Sequence, residues 1–340
     1  MIKSKSQVLI TGVYRTGSEF LAHALNSRPD ISVSMYRVNL LRFINGRYGD
    51  LTNDNQIYQL VTDLAHRLKF RYNLNLEKDK IYQVLLSQKK KGTLSYGVVY
   101  DKVMSLLYLN ENTRVWAEKN QLLWREIPNF LECFPKGKCI HIIRDPRAVL
   151  MSFKYYTNAP EPAYLAAALN CFDSMLHAKA QTTADTGRVL VIRFEDLVTN
   201  TKKVIENAWD FIGLNTRFKY QGIESAIDPY DRNWSSNSSF QKVSSVKNFN
   251  TDLALNGWRK KISTDELHFV ECICHNQMRE WGYQTELNNF DISKAQNQVI
   301  SSKELTCDFE NFLKEKIGIQ KFPSNPLNPS TWEFSLKSNV

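Results

Sequence analysis

The sequence has no run of about 18 apolar residues, the length a helix needs to cross a bilayer, so no membrane span is expected. It opens MIKSKSQVLITG, with neither the apolar segment nor the small-residue cleavage site of a secretory leader. A cytoplasmic location is the expectation. The six cysteines (Cys133, Cys139, Cys171, Cys272, Cys274 and Cys307) form no C-x-x-C pair. Cys272 and Cys274 stand two apart in a helical stretch, a poor geometry for sharing a metal, and no metal site is expected. Unpaired thiols in a reducing compartment fit this usage, and the sequons at Asn233 and Asn237 are then incidental. Internal repeats are absent. The basic residues are dispersed, without the aromatic-interleaved stripe of a nucleic-acid binder, so no nucleic-acid partner is expected.

What is present is a chain of 340 residues, 43% apolar and 12% aromatic, with a formal charge of +9. That composition belongs to a globular fold, and the charge suits a protein that meets anions. Four short, nearly continuous apolar runs read as strands covered on both faces: 7–12, 113–118, 138–145 and 188–196. Helical patterns follow at 18–26, 146–156, 200–214 and 263–283. Asp145 and Pro146 suit the start of the second, and Ser263 with Glu266 makes a capping box for the last. Strand–helix alternation predicts an α/β fold, a three-layer sandwich with a central, mostly parallel sheet. Residues 50–110 read as a helical insertion and a candidate cover for the site. Residues 228–256, rich in Asn and Ser, read as a long loop. From 286 to 340 the pattern weakens into a C-terminal tail or appendage, which leaves 1–285 as the main domain.

Three segments carry anion-binding chemistry. The first, GVYRTGSEF, begins like G-x-x-x-x-G-K-[ST], but Ser18 and Glu19 follow Gly17 and the lysine is missing. A strand turning into a helix aims free N–H groups and a positive dipole end at whatever lies above. Arg15 adds a fork of donors, and Thr16 and Ser18 add hydroxyls. Equally, this is a Gly-containing turn with Ser18 as a cap. The second segment, IHIIRDPRAVLMS, sets Arg144 at the carboxyl end of a strand, where open α/β sheets bind ligands, and Ser152 two turns into the next helix. The alternative gives Arg144 a salt bridge. The third, VLVIRFEDL, is weak alone: Glu195 and Asp196 read as structural, and Phe194 as core or a base-stacking ring.

In this order and spacing the segments resemble the sulfotransferases that use 3′-phosphoadenosine 5′-phosphosulfate (PAPS). That family's 5′-phosphosulfate loop, P-[RK]-[ST]-G-[ST]-[ST], corresponds to Tyr14 through Glu19. Its 3′-phosphate motif, R-[DN]-x-[RK]-x-x-x-x-S, corresponds to Arg144, Asp145, Pro146, Arg147 and Ser152. R-[FY]-E-D-L corresponds to Arg193 through Leu197, and GWRKKIS with MREWGY looks like the closing segment and terminal helix. The resemblance spans roughly residues 5–285. Tyr14 departs from the family proline and Glu19 from a hydroxyl residue, and the pattern does not account for Glu19. The family's Lys-Thr-His reads AEKNQ here, with Lys119 in the lysine's place and no histidine.

The resemblance implies a PAPS-dependent transferase of a sulfuryl group to a hydroxyl or amine of a small molecule, with a natural product as the preferred acceptor and adenosine 3′,5′-bisphosphate (PAP) released. It implies donor contacts from Arg15, Thr16, Gly17, Ser18, Glu19, Phe20, Arg144, Ser152 and Phe194, and from Ser245, Lys247 and Arg259 near Trp258. Arg15 and Lys119 are the candidates for stabilising charge on the leaving phosphate. Glu118 is the first candidate base, against the alternative of a salt bridge, with Glu19 and Asp101 as second choices. His141 reads as a buried, hydrogen-bonded residue, and His177 and His268 as packing or surface residues. A carbohydrate or lipid-linked acceptor is the alternative, and an ATP-dependent P-loop kinase a further one. The oligomeric state is open between monomer and homodimer.

Overall fold

A computed structural model describes residues 6–35, 37–157, 162–184, 187–214, 218–222 and 250–318. Five strands, β1 (Ser6–Gly12), β2 (Ile31–Met35), β3 (Val115–Lys119), β4 (Lys138–Ile143) and β5 (Val189–Arg193), form one sheet. All pairings are parallel, and the spatial order is β2-β3-β1-β4-β5. The chain leaves β1 toward one edge of the sheet and leaves β4 toward the other. Between those two neighbouring strands the connections diverge, and the crevice outside their carboxyl ends is where such sheets hold ligands.

Successive side chains alternate across each strand, so the sheet divides the core into two layers. Leu9, Trp116, Cys139 and Ile143 face one cluster, while Val8, Ile10, Ala117, Ile140 and Ile142 face the other. The second cluster is closed by the helix Ser18–Leu25, through Phe20, Leu21 and Leu25, and by the helix Thr201–Ile212, through Ile205 and Trp209. The first cluster packs against the helices Ala166–Thr183 and Thr264–Glu280 and against the insertion.

The insertion is helical, as its pattern predicts: Asp54–Tyr72, Lys78–Lys90 and Tyr96–Tyr108. Ile57, Leu60, Val61, Leu64 and Leu68 repeat at helical spacing and are buried. Three boundaries differ from the pattern. The strand β2 was hidden because ISVSM lacks a continuous apolar run; it is an edge strand, buried only at Ile31 and Ser34. The strand β5 stops at Arg193, and Phe194–Thr199 is already helical. Residues 286–318 are not all tail. The helices Ile292–Val299 and Lys303–Glu315 bury Ala295, Val299, Leu305, Phe309 and Phe312 in the first cluster, with Phe312 set edge-on to Phe172 at 5.0 Å. No helix among the described residues is long and apolar enough to cross a membrane.

Candidate functional site

The loop after β1 is forced into a tight turn by its glycines and by its neighbours. A Cβ on Gly12 would lie 2.4 Å from the carbonyl oxygen of Ile142, so only glycine lets β1 lie that close to β4. Gly17 has φ 86°, and a Cβ there would lie 2.2 Å from the Phe194 ring. Arg15, at φ 65°, also takes the left-handed conformation, which costs a side-chain-bearing residue about 1 kcal/mol or more. The Thr16 hydroxyl closes the turn by donating to the Val13 carbonyl at 2.6 Å. Tyr14, in place of a proline, stacks on Phe153 at 4.0 Å and accepts from Asn170 Nδ2 at 3.1 Å. Replacing Gly17 with alanine is expected to cost about 3 kcal/mol, from left-handed strain plus the clash with Phe194. Thermal unfolding of the variant measures it; an unchanged Tm would refute the crowding described.

The structure brings the first and second signatures together. Arg15 Nε donates to the Ser152 hydroxyl at 3.0 Å, and Arg144 Nη1 donates to the Arg15 carbonyl at 2.8 Å. Arg144 Nη2 donates to the Ala254 carbonyl at 2.5 Å, and its guanidinium lies 4.2 Å over the Phe194 ring. Burial lowers the Arg144 pKa to about 10, with the Glu195 charge pulling the other way. Its Nε is buried and finds no partner among the described residues. A buried donor left unsatisfied is costly, which suits a group that a ligand oxygen completes. Ser18 is buried at the start of the helix Ser18–Leu25.

A second tier holds Arg144 in place. Glu195 accepts from the Asp145 backbone N–H at 3.0 Å and from the Tyr283 hydroxyl at 2.6 Å. Burial raises its pKa. Asp145 accepts from the Arg147 N–H at 2.9 Å, the expected helix cap, and is forked by the Arg147 side chain. Arg147 also donates to Glu271 at 2.8 Å and lies 4.3 Å over Trp258. So Arg147 supports the motif from behind, and the R-F-E-D-L element contributes a brace. The sequence carried no signal for Ala254, because a backbone carbonyl leaves no pattern, and it placed Tyr283 only as the last residue of MREWGY, with nothing to say what its hydroxyl meets.

Other candidates fall differently. Lys119 is fully buried at the end of β3, with Nζ 3.4 Å from Glu19 Oε1. Burial lowers its pKa to about 8, opposed by Glu19. Glu118 is corrected: it is no free base. Its Oε1 accepts from the N–H groups of Val38 and Asn39 at 2.9 and 2.7 Å, and its Oε2 from the Tyr100 hydroxyl. Alternation along β3 sends it to the opposite face from Lys119, where it clamps the chain after β2. Arg67 holds the same segment by its carbonyls, donating to those of Arg37 and Val38. Asp101 is corrected too. It accepts from Gln7 and Trp116 near the amino ends of β1 and β3, far from the loop. Phe20 packs into the core, and Phe194 lies beneath Gly17 and Arg144, so neither ring is open to a base. Arg259 is exposed and paired with Glu286. Ser245 and Lys247 lie outside the described residues. His141 is buried between Gln181 and Ser174, as its strand position implies.

Comparison with known proteins gives this geometry a relation. The profile of the sulfotransferase family matches residues 7–218. Carbohydrate sulfotransferase 1 of Danio rerio is 24% identical over 186 residues, which are 47% of this chain and 43% of that protein. Carbohydrate sulfotransferase 2 of Homo sapiens is 27% identical over 158 residues, 42% of this chain and 28% of that protein. The chain thus spans less than half the length of these curated relatives. Among solved structures, the sulfotransferase domain of the Synechococcus PCC 7002 olefin synthase superposes with a TM-score of 0.52 at 19% identity. The match covers 84% of this chain and 97% of that one, and it is a likeness of fold.

Proposed function

The chain belongs to the sulfotransferase family, and from that premise we propose that it moves a sulfuryl group from PAPS to a hydroxyl or amine of a small-molecule acceptor, releasing PAP. One observation carries the proposal: Arg15, Ser152 and Arg144 converge outside the carboxyl ends of β1 and β4, where the connections diverge, and Arg144 Nε is buried without a partner among the described residues. Arg15 would meet the 5′ oxygens and stabilise charge on the departing phosphate. Ser18 and the N–H groups at the start of its helix would hold the same end. Arg144 and Ser152 would grip the 3′-phosphate, the group that ATP lacks. PAPS supplies the activated sulfuryl group. The attacking oxygen or nitrogen forms the new bond to sulfur and gives up its proton to water, while the bond from sulfur to the phosphate oxygen breaks and the phosphate keeps the electron pair. The three helices of the insertion would cover the acceptor. A carbohydrate acceptor is the second reading, favoured by the names of the curated relatives.

A kinase reading fits less well. Of the two acids that close the fourth predicted strand, Glu195 already accepts two hydrogen bonds as a brace and Asp196 is exposed on the helix Phe194–Thr199, and the loop has no lysine after Gly17. Calorimetric titration tests the proposal. PAP is expected to bind at least about tenfold more tightly than ADP, a difference of about 1.4 kcal/mol, and EDTA is expected to leave that affinity unchanged. Equal, weak binding of both nucleotides would sink it.

A further inference from the structure

Glu19 is an acid inside a loop suited to an anion, and its neighbours give it a task. It lies in the first turn of the helix Ser18–Leu25. Val115 and Ala117 of β3 face the core layer that this helix closes, so Lys119, two residues on, faces it too. The Lys119 side chain is 0% exposed and that of Glu19 14%. Their contact, at 3.4 Å, joins positions 100 residues apart. Arg15, from the loop between β1 and the helix, also acts on Lys119, as a repelling charge. The flanking strands present Ile10 and Met35 beside it, and Glu118 points to the far face. Among the described residues, Arg15, Lys119 and Glu19 therefore stand together at the end of the crevice assigned to the phosphosulfate. An ammonium in so dry a place keeps its proton only if a negative charge stands near. The contact is also longer than the roughly 2.8 Å of a tight charge-assisted hydrogen bond, so it can be exchanged for another anion.

On the reading of the preceding section, we propose that Glu19 is a positioning residue that holds Lys119 as a buried ammonium beside the loop until the sulfonate oxygens of the donor take over as its counter-ion. No proton moves in this exchange. Lys119 passes from one anion to another, and the acid that departs from the family's hydroxyl residue serves as a placeholder for the substrate.

The test compares PAPS with PAP, which lacks the sulfonate, across pH 6 to 10 in wild type, Glu19→Gln and Glu19→Asp. In wild type the affinity advantage of PAPS over PAP is expected to fade as Lys119 loses its proton. In Glu19→Gln that fade should come at a pH lower by about one unit, with PAP affinity changed by less than about twofold. Glu19→Asp should restore part of the difference. Lysine side-chain NMR of the free protein, with Lys119→Met supplying the assignment, should show Lys119 titrating at lower pH in Glu19→Gln. An unshifted Lys119 titration and an unshifted PAPS advantage would overturn the proposal. If wild type binds neither nucleotide, the functional reading fails instead, while the NMR shift still reports on the pair.

Discussion

Arg15→Ala is expected to slow the release of PAP from PAPS by about 10²–10³-fold, the usual effect of removing one preorganised donor from a developing charge. The geometry makes Arg15 such a donor. Its backbone sits in the left-handed region, its carbonyl is held by Arg144 and its Nε by Ser152. Little reorganisation remains when the phosphate takes on charge. PAP is a ground-state ligand, so its affinity should fall far less, by no more than about tenfold. Arg15→Lys keeps the charge and loses the fork, and should recover only part of the rate. Single-turnover measurement of PAP release, beside calorimetry of PAP binding, separates the two effects. A normal rate in Arg15→Ala would refute the role assigned to it.

Arg144→Ala is expected to weaken PAP binding by about 100-fold, roughly 2.7 kcal/mol, while leaving ADP affinity nearly unchanged. The contrast follows from the 3′-phosphate, which ADP does not carry. Because Arg144 also donates to the Arg15 and Ala254 carbonyls, its loss leaves two acceptors without that donor, and some stability should go with it. Arg144→Lys controls for this: it retains a cation and should give an intermediate PAP affinity. A variant that loses PAP and ADP equally would point to a damaged loop and against a specific phosphate contact.

The order of the elements was legible because parallel strands under helical cover carry short, nearly continuous apolar runs, and β1, β4 and even the edge strand β5 do so at Val8–Ile10, Ile140–Ile143 and Val189–Ile192. The edge strand β2 escaped because in ISVSM the apolar residues alternate with serines and only Ile31 and Ser34 are buried, so no continuous apolar run marks it. The helices at 292–315 escaped because their burial rests on a few positions, Leu305, Phe309 and Phe312 among them, spaced within polar sequence. Within the site, the spacing of GVYRTGSEF and RDPRAVLMS was enough to nominate Arg15, Arg144 and Ser152, since each motif is contiguous and its geometry is set by one turn.

What contiguity could not decide was how separate segments meet. Glu118 and Lys119 are neighbours in sequence, which makes one a candidate base and the other a candidate partner of the leaving phosphate at the same strand end. The two-residue period of a strand sends them to opposite faces, one to clamp the chain at Val38 and Asn39 and the other toward the loop. Glu19 had no explanation along the chain, because its partner lies 100 residues away and is brought beside it only by the parallel pairing of β1 with β3. The sequence by itself determined the strand–helix order and the local anion-binding turns, which depend on short-range spacing. The tertiary structure alone decided which charges face each other, because that depends on strand order and side-chain alternation across the sheet.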